Sequence, residues 1–203
     1  MEQVSRLLDA KNKPLNHIVV FGLSLLLVYV FLLSGISLNR AVAGASFVLL
    51  FLILIIGPWM QLIKPSIRVL PWGIPWSWRG ELGIWFAILS VIHFLLVFSG
   101  DNWKIRWSLA AILGLVALFW TTILAITSFS KIIKLLGVDS WRWLHAFAYV
   151  IFYTSGLHVV YHAFLRNGRP SHWLHWAYLA MMIIVVILEA SAFVKNVIHR
   201  KKA

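Results

Sequence analysis

The sequence contains no cysteine and only six acidic residues among 203. Without cysteine there is no disulfide, no thiolate-bound iron–sulfur cluster and no cysteine nucleophile. With so few acids, a metal centre built from carboxylates has little to draw on. No G-x-G-x-x-G stretch is present, so the chain carries no recognisable nicotinamide-binding unit. Charge is scarce altogether, at 12% of residues, while 62% are hydrophobic and the mean hydropathy is +0.89. A soluble domain of this size needs far less apolar material, and a bilayer is the natural solvent for what remains.

Six apolar runs carry that material: about Asn16 to Leu33, Val42 to Ile63, Gly80 to Phe98, Trp107 to Ile126, Trp143 to Leu165 and Trp173 to Val194. In hydrocarbon every backbone donor needs an internal partner, so runs of this length must be helices. The expectation is an all-α polytopic membrane protein, a bundle of six transmembrane helices over residues 16–195. A tail at 1–15 precedes it and a basic tail at 196–203 follows. The mixed charges of the first residues, with no small-residue cleavage site, read as a tail before a retained first helix. The longest polar connection, with Pro65, Pro71, Gly73 and Pro75, reads as a surface loop.

A net charge of +12 does not point to nucleic acid, because the basic residues are scattered between apolar runs. Their distribution is topological. The loops on the side of the two termini carry thirteen Lys and Arg residues, and the opposite loops carry Arg40, Lys104, Arg106, Arg166 and Arg169, five in all. The positive-inside rule puts both termini in the cytoplasm. Trp residues near the run ends read as interfacial anchors in contact with membrane lipid.

Histidine inside a bilayer is rare and usually faces the bundle interior. His93 is thirteen residues beyond Gly80, and His158 is thirteen beyond His145. The third and fifth helices run in the same direction, so both histidines lie about 20 Å along their helices, in the outer half of the membrane. Two imidazoles at matched depth can meet one ligand from opposite faces. Haem fits that arrangement, since its iron takes two axial nitrogens and its flat apolar ring slots between helices. Zinc would want three or four converging ligands. The bland alternative is that both histidines hydrogen-bond neighbouring helices. His145 falls about 140° from His158 on an ideal helix, so a shared stripe requires a bend, for which Thr154, Ser155 and Gly156 offer a place. It reads equally as a second ligand or an interfacial histidine. His162, His172, His175, His17 and His199 read as solvated or interfacial. Glu189, the one acid deep in a helix, has no obvious cationic partner.

"RGELGIWFAILSVIHF" (Arg79 to Phe94) followed by "WRWLHAFAYVIFYTSGLH" (Trp141 to His158) resembles the ferric reductase-like transmembrane domain family. That family includes ferric reductases, NADPH oxidases and the haem-binding membrane subunit of the bacterial methionine-sulfoxide reductase system, which is most similar in size and layout. The likeness covers the third to fifth helices, and the remaining helices only in hydropathy. It implies b-type haem held by His93 and His158. A second, inner haem would pair His145 with position 79, where this chain has Arg79; the bacterial subunit is similar in having arginine there. One haem is the expectation, with two as the alternative. The resemblance further implies that Arg79 pairs with a haem propionate or with a flavin or quinone headgroup, and that Gly83 lets a flat ring approach the backbone.

These readings combine into an electron-transfer subunit rather than a complete enzyme, in a bacterial plasma membrane. A separate reductase, flavin or quinol is its donor. An extracytoplasmic redox partner is its acceptor, a methionine-sulfoxide reductase or a ferric chelate. The competing expectations are a proton or cation transporter using His93, His158 and Glu189, and a scaffold in which the histidines are replaceable.

Overall fold

The computed structural model describes residues 14–63, 73–74, 78–100, 107–166 and 172–200. The N-terminal tail, the loop prolines Pro65, Pro71 and Pro75, and the side chains of His162 and His199 lie outside the described residues. Among those described the chain is helical, with no strand, and six of its helical segments are long and apolar enough to cross a membrane. In chain order, α1 is Pro14–Leu33, α2 Leu38–Leu62, α3 Arg79–Gly100 and α4 Leu109–Ile126. Two short helices follow, α5 (Ser130–Leu136) and α6 (Val138–His145). Then come α7 (Ala148–Val160), a π-helical turn at Tyr161–Arg166, and α8 (Trp173–Arg200). The fifth crossing comprises α6, α7 and the π turn, from Val138 to Leu165.

α2 is the axis of the bundle. It packs against α1, α3, α7 and α8, and the run from Leu52 to Ile56 is buried without interruption. A helix that is hydrophobic all round belongs in such a position. The peripheral helices instead turn leucines and isoleucines outward, such as Leu25, Leu26, Ile183 and Ile187, which in a bilayer meet lipid. Lipid offers no hydrophobic drive between helices, so close packing of small residues must supply the cohesion. Ala41, Gly44 and Ala45 do this on α2, and Gly156 does it on α7. At Gly156 an added Cβ would run into the Met182 thioether of α8.

The connection from α1 to α2 explains how α2 starts where it does. α1 ends in a Schellman motif: Ile36 N–H donates to Phe31 O at 3.2 Å and Gly35 N–H to Leu32 O at 2.9 Å. Gly35 supplies the required positive φ of 76°. The chain then reverses within a few residues, and Ser37 holds the N-cap position of α2.

Two boundaries differ from the sequence expectation. The fifth crossing breaks at Ala146–Phe147, not at Thr154–Gly156. Tightened i→i−3 bonds mark the break (Ala146 N–H to Trp143 O, 3.1 Å; Phe147 N–H to Leu144 O, 3.0 Å). Phe147 is held there by stacking on Trp120 of α4, with ring centroids 4.3 Å apart. Thr154 instead spends its hydroxyl on Val150 O and stays helical. At the other end α8 continues through Arg200, into the segment read as a tail. Its Lys195 Nζ donates to Gln61 O (2.8 Å) and Leu62 O (3.1 Å), which satisfies carbonyls at the end of α2.

Candidate functional site

A half-enclosed cavity of about 890 Å³ lies among α2, α3, α4, α7 and the start of α8. Both His93 of α3 and His158 of α7 line it. The volume falls within the range of cofactor pockets.

Each ring is held in the same way. His93 Nδ1 lies 2.9 Å from Asn39 O, and His158 Nδ1 lies 2.6 Å from Ala110 O. A carbonyl oxygen can only accept, so a neutral imidazole in this contact carries its proton on Nδ1. Nε2 is then the unprotonated nitrogen, with its lone pair free for a metal. Neither Nε2 has a hydrogen-bond partner among the described residues. Metal-ligating histidines are oriented by this kind of backbone contact.

The two carbonyls occupy equivalent places. Asn39 and Ala110 are each the second residue of a helix that begins after a serine, in the sequences Ser37-Leu38-Asn39 and Ser108-Leu109-Ala110. Ser108 Oγ accepts from Ala111 N–H at 3.1 Å. Ser37 Oγ–H donates to Asn39 Oδ1 at 2.7 Å, which also accepts from Arg40 N–H at 2.8 Å. So the first turn of a helix anchors each ring, capped by the serine side chain in α4 but not in α2. The short repeat Ser-Leu-x was a signal available in the sequence. Gly114 of α4 completes the seat of His158: an added Cβ there would stand 3.6 Å from Nδ1 and 3.7 Å from Cε1 of the ring.

The remaining wall is apolar with a few hydroxyls. Ser46 and Ser90 are 2.8 Å apart, and Ser90 donates onward to Phe86 O at 2.8 Å. Phe47 stacks on Phe152, with centroids at 4.8 Å, and meets Tyr178 edge-on at 5.0 Å. These rings tie α2, α7 and α8 together beneath the histidines. His172 and His175, read from the sequence as solvated or interfacial, are half-exposed and line the cavity as well. His172 is a brace: Nε2 donates to Ser34 O at 3.2 Å and Nδ1 accepts from Leu174 N–H at 3.3 Å. Among the described residues no group of three or more His, Asp or Glu side chains could hold a metal ion.

The other sequence-predicted residues lie elsewhere. His145 is outside the cavity wall, its ring tilted against Trp141 with centroids 4.3 Å apart and its Nε2 3.5 Å from Thr127 Oγ1. Arg79 opens α3, about 20 Å along the helix from His93, and its Nη1 lies 4.0 Å from where a Cβ of Gly57 would stand. Its charge acts on Glu189 of α8, so Glu189 does have a cationic neighbour. A Cβ added at Gly83 would stand 4.0 Å from Ile53 Cδ1 of α2. Two groups that sequence reasoning passed over also line the cavity: Arg40 at the start of α2 and Tyr178 of α8.

No protein-family model, curated protein or solved structure matches the chain.

Proposed function

We propose that this protein binds b-type haem between His93 and His158 and passes electrons across a bacterial plasma membrane. The observation that carries the reading is the paired tautomer lock, two Nδ1–H groups committed to carbonyls and two Nε2 lone pairs left at one cavity. That donor set fits a metal needing two axial nitrogens and does not fit a three- or four-ligand zinc site. The flat apolar walls suit a macrocycle.

When bound, haem supplies a one-electron couple. The chain's contribution is to hold both imidazoles in fixed orientation, so that ligation does not change with oxidation state. His93 and His158 would hold the group, and imidazole from both residues would favour electron transfer over oxygen binding. The hydrogen bonds at Asn39 O and Ala110 O raise the basicity of the ligating nitrogens. The apolar wall excludes water from the site and so tunes the potential.

With thirteen Lys and Arg residues on the side of the termini and five opposite, both termini face the cytoplasm and the cavity lies toward the outside. A separate reductase, flavin or quinol is the donor. The acceptor is an extracytoplasmic redox partner, with a methionine-sulfoxide reductase and a ferric chelate the two the resemblance favours.

The test is the visible spectrum of detergent-purified protein, oxidised and dithionite-reduced, with a haem-to-protein ratio. A low-spin b-type spectrum, lost in both His93→Ala and His158→Ala, is the expected result. A colourless protein from cells well supplied with haem would overturn the reading.

A further inference from the structure

Tyr178 is 6% exposed, lines the cavity, and its hydroxyl has no hydrogen-bond partner among the described residues. The hydroxyl oxygen is not itself sealed off, so it is a donor open to a ligand in the cavity. Its position is enforced. The hydroxyl sits against Gly44, where an added Cβ would stand 2.6 Å from it and 2.9 Å from Phe31 Cε2. The glycine therefore makes room for this hydroxyl.

Arg40 lies four residues before Gly44 on the same face of α2, about 6 Å nearer the helix start. It is the one Lys or Arg side chain among the described residues lining the cavity. It is exposed and follows Asn39, whose carbonyl orients His93. So the cavity presents a guanidinium at its rim and an unmet O–H donor one turn further in. Both groups donate, and among the described residues neither is spent on a carboxylate.

We infer that Arg40 and Tyr178 form a carboxylate-binding end of this cavity. The inference rests on the haem reading, which supplies a natural ligand: the propionate edge of a b-type haem. A carboxylate-bearing acceptor, such as a ferric chelate entering from the rim, offers the same chemistry from a second source. Arginine provides a charge-assisted, two-pronged contact to carboxylate, and the phenol adds one directed hydrogen bond.

The experiment compares uptake of haem b and of its dimethyl ester, which lacks the carboxylates, by apo-protein in detergent. Wild type, Arg40→Gln and Tyr178→Phe are measured. Reoxidation of the reduced holoprotein by ferric citrate and by an uncharged oxidant is followed alongside. Expected is a wild-type preference for haem b of about ten-fold or more, which shrinks in both variants while the low-spin spectrum is kept. A wild type with no such preference, but with ferric citrate reoxidation slowed in both variants and the uncharged oxidant unaffected, supports the acceptor as the carboxylate source. Preference unchanged in both variants, or no preference with unchanged reoxidation, overturns the inference and leaves the haem reading standing. Failure of wild type to take up either tetrapyrrole overturns the haem reading, and this inference with it.

Discussion

Gly156→Ala is the sharpest test of how this bundle coheres. Gly156 is buried on α7, and a Cβ there would collide with Met182 Sδ, with Cε at 2.7 Å and Cγ at 3.2 Å. Overpacking of this kind costs about 1–3 kcal/mol. Two effects reduce it. The unbranched thioether can swing aside, and alanine is about 1 kcal/mol better than glycine within a helix. The net expectation is a loss of ~0–2 kcal/mol. In a Met182→Ala background the obstacle is gone, and the same change should become neutral or stabilising by up to about 1 kcal/mol. The difference between the two backgrounds isolates the overpacking, a coupling of ~1–3 kcal/mol, above the few tenths seen for independent sites. Unfolding of the four proteins in mixed detergent micelles, followed by tryptophan fluorescence, measures the cycle. Additivity within about 0.5 kcal/mol would refute the contact as the reason for glycine.

Three further outcomes follow from the site. Arg79→Ala and His145→Ala should each retain the low-spin spectrum and a haem-to-protein ratio near that of wild type, because neither side chain lines the cavity; loss of colour in either would place it in the site. Gly114→Ala should be tolerated, since its methyl would stand in ordinary contact at 3.6 Å from the His158 ring, whereas Gly114→Leu should displace the ring and abolish the spectrum. Asn16→Ala should cost about 1–3 kcal/mol, because Asn16 Nδ2 donates at 3.2 Å to Glu81 Oε1 on a carboxylate that is 1% exposed; an unchanged unfolding midpoint in the micelle assay would contradict that.

Depth was legible in the sequence and azimuth was not. Hydropathy marked all six crossings, and equal counts from Gly80 to His93 and from His145 to His158 placed two imidazoles at one level. That reasoning is one-dimensional. It could not tell that α6 would end at His145, because the break at Ala146–Phe147 contains no glycine or proline and depends on Phe147 stacking against Trp120, a contact between distant segments. Nor could it see that His172, His175, Arg40 and Tyr178 share the cavity wall. These residues sit near run ends or in the last helix, and only packing brings them beside His93. The serine-leucine starts of α2 and α4 were visible as letters. Their meaning required knowing which carbonyl each histidine meets.

The π turn at Tyr161–Arg166 begins three residues after His158. A π turn closes hydrogen bonds one residue wider than an α turn, so it absorbs a single extra residue without breaking the helix. Everything before it, including the Nδ1 contact of His158, keeps α-helical phase; everything after it is rotated by about 100°. The turn has the geometry of a one-residue insertion into an α-helix. Deleting one residue within it would return the C-terminal end of the crossing to plain α-helix, while leaving the register of His158 intact. Alignments of proteins built on this plan should therefore accept a gap between Tyr161 and Arg166, and none between His145 and His158.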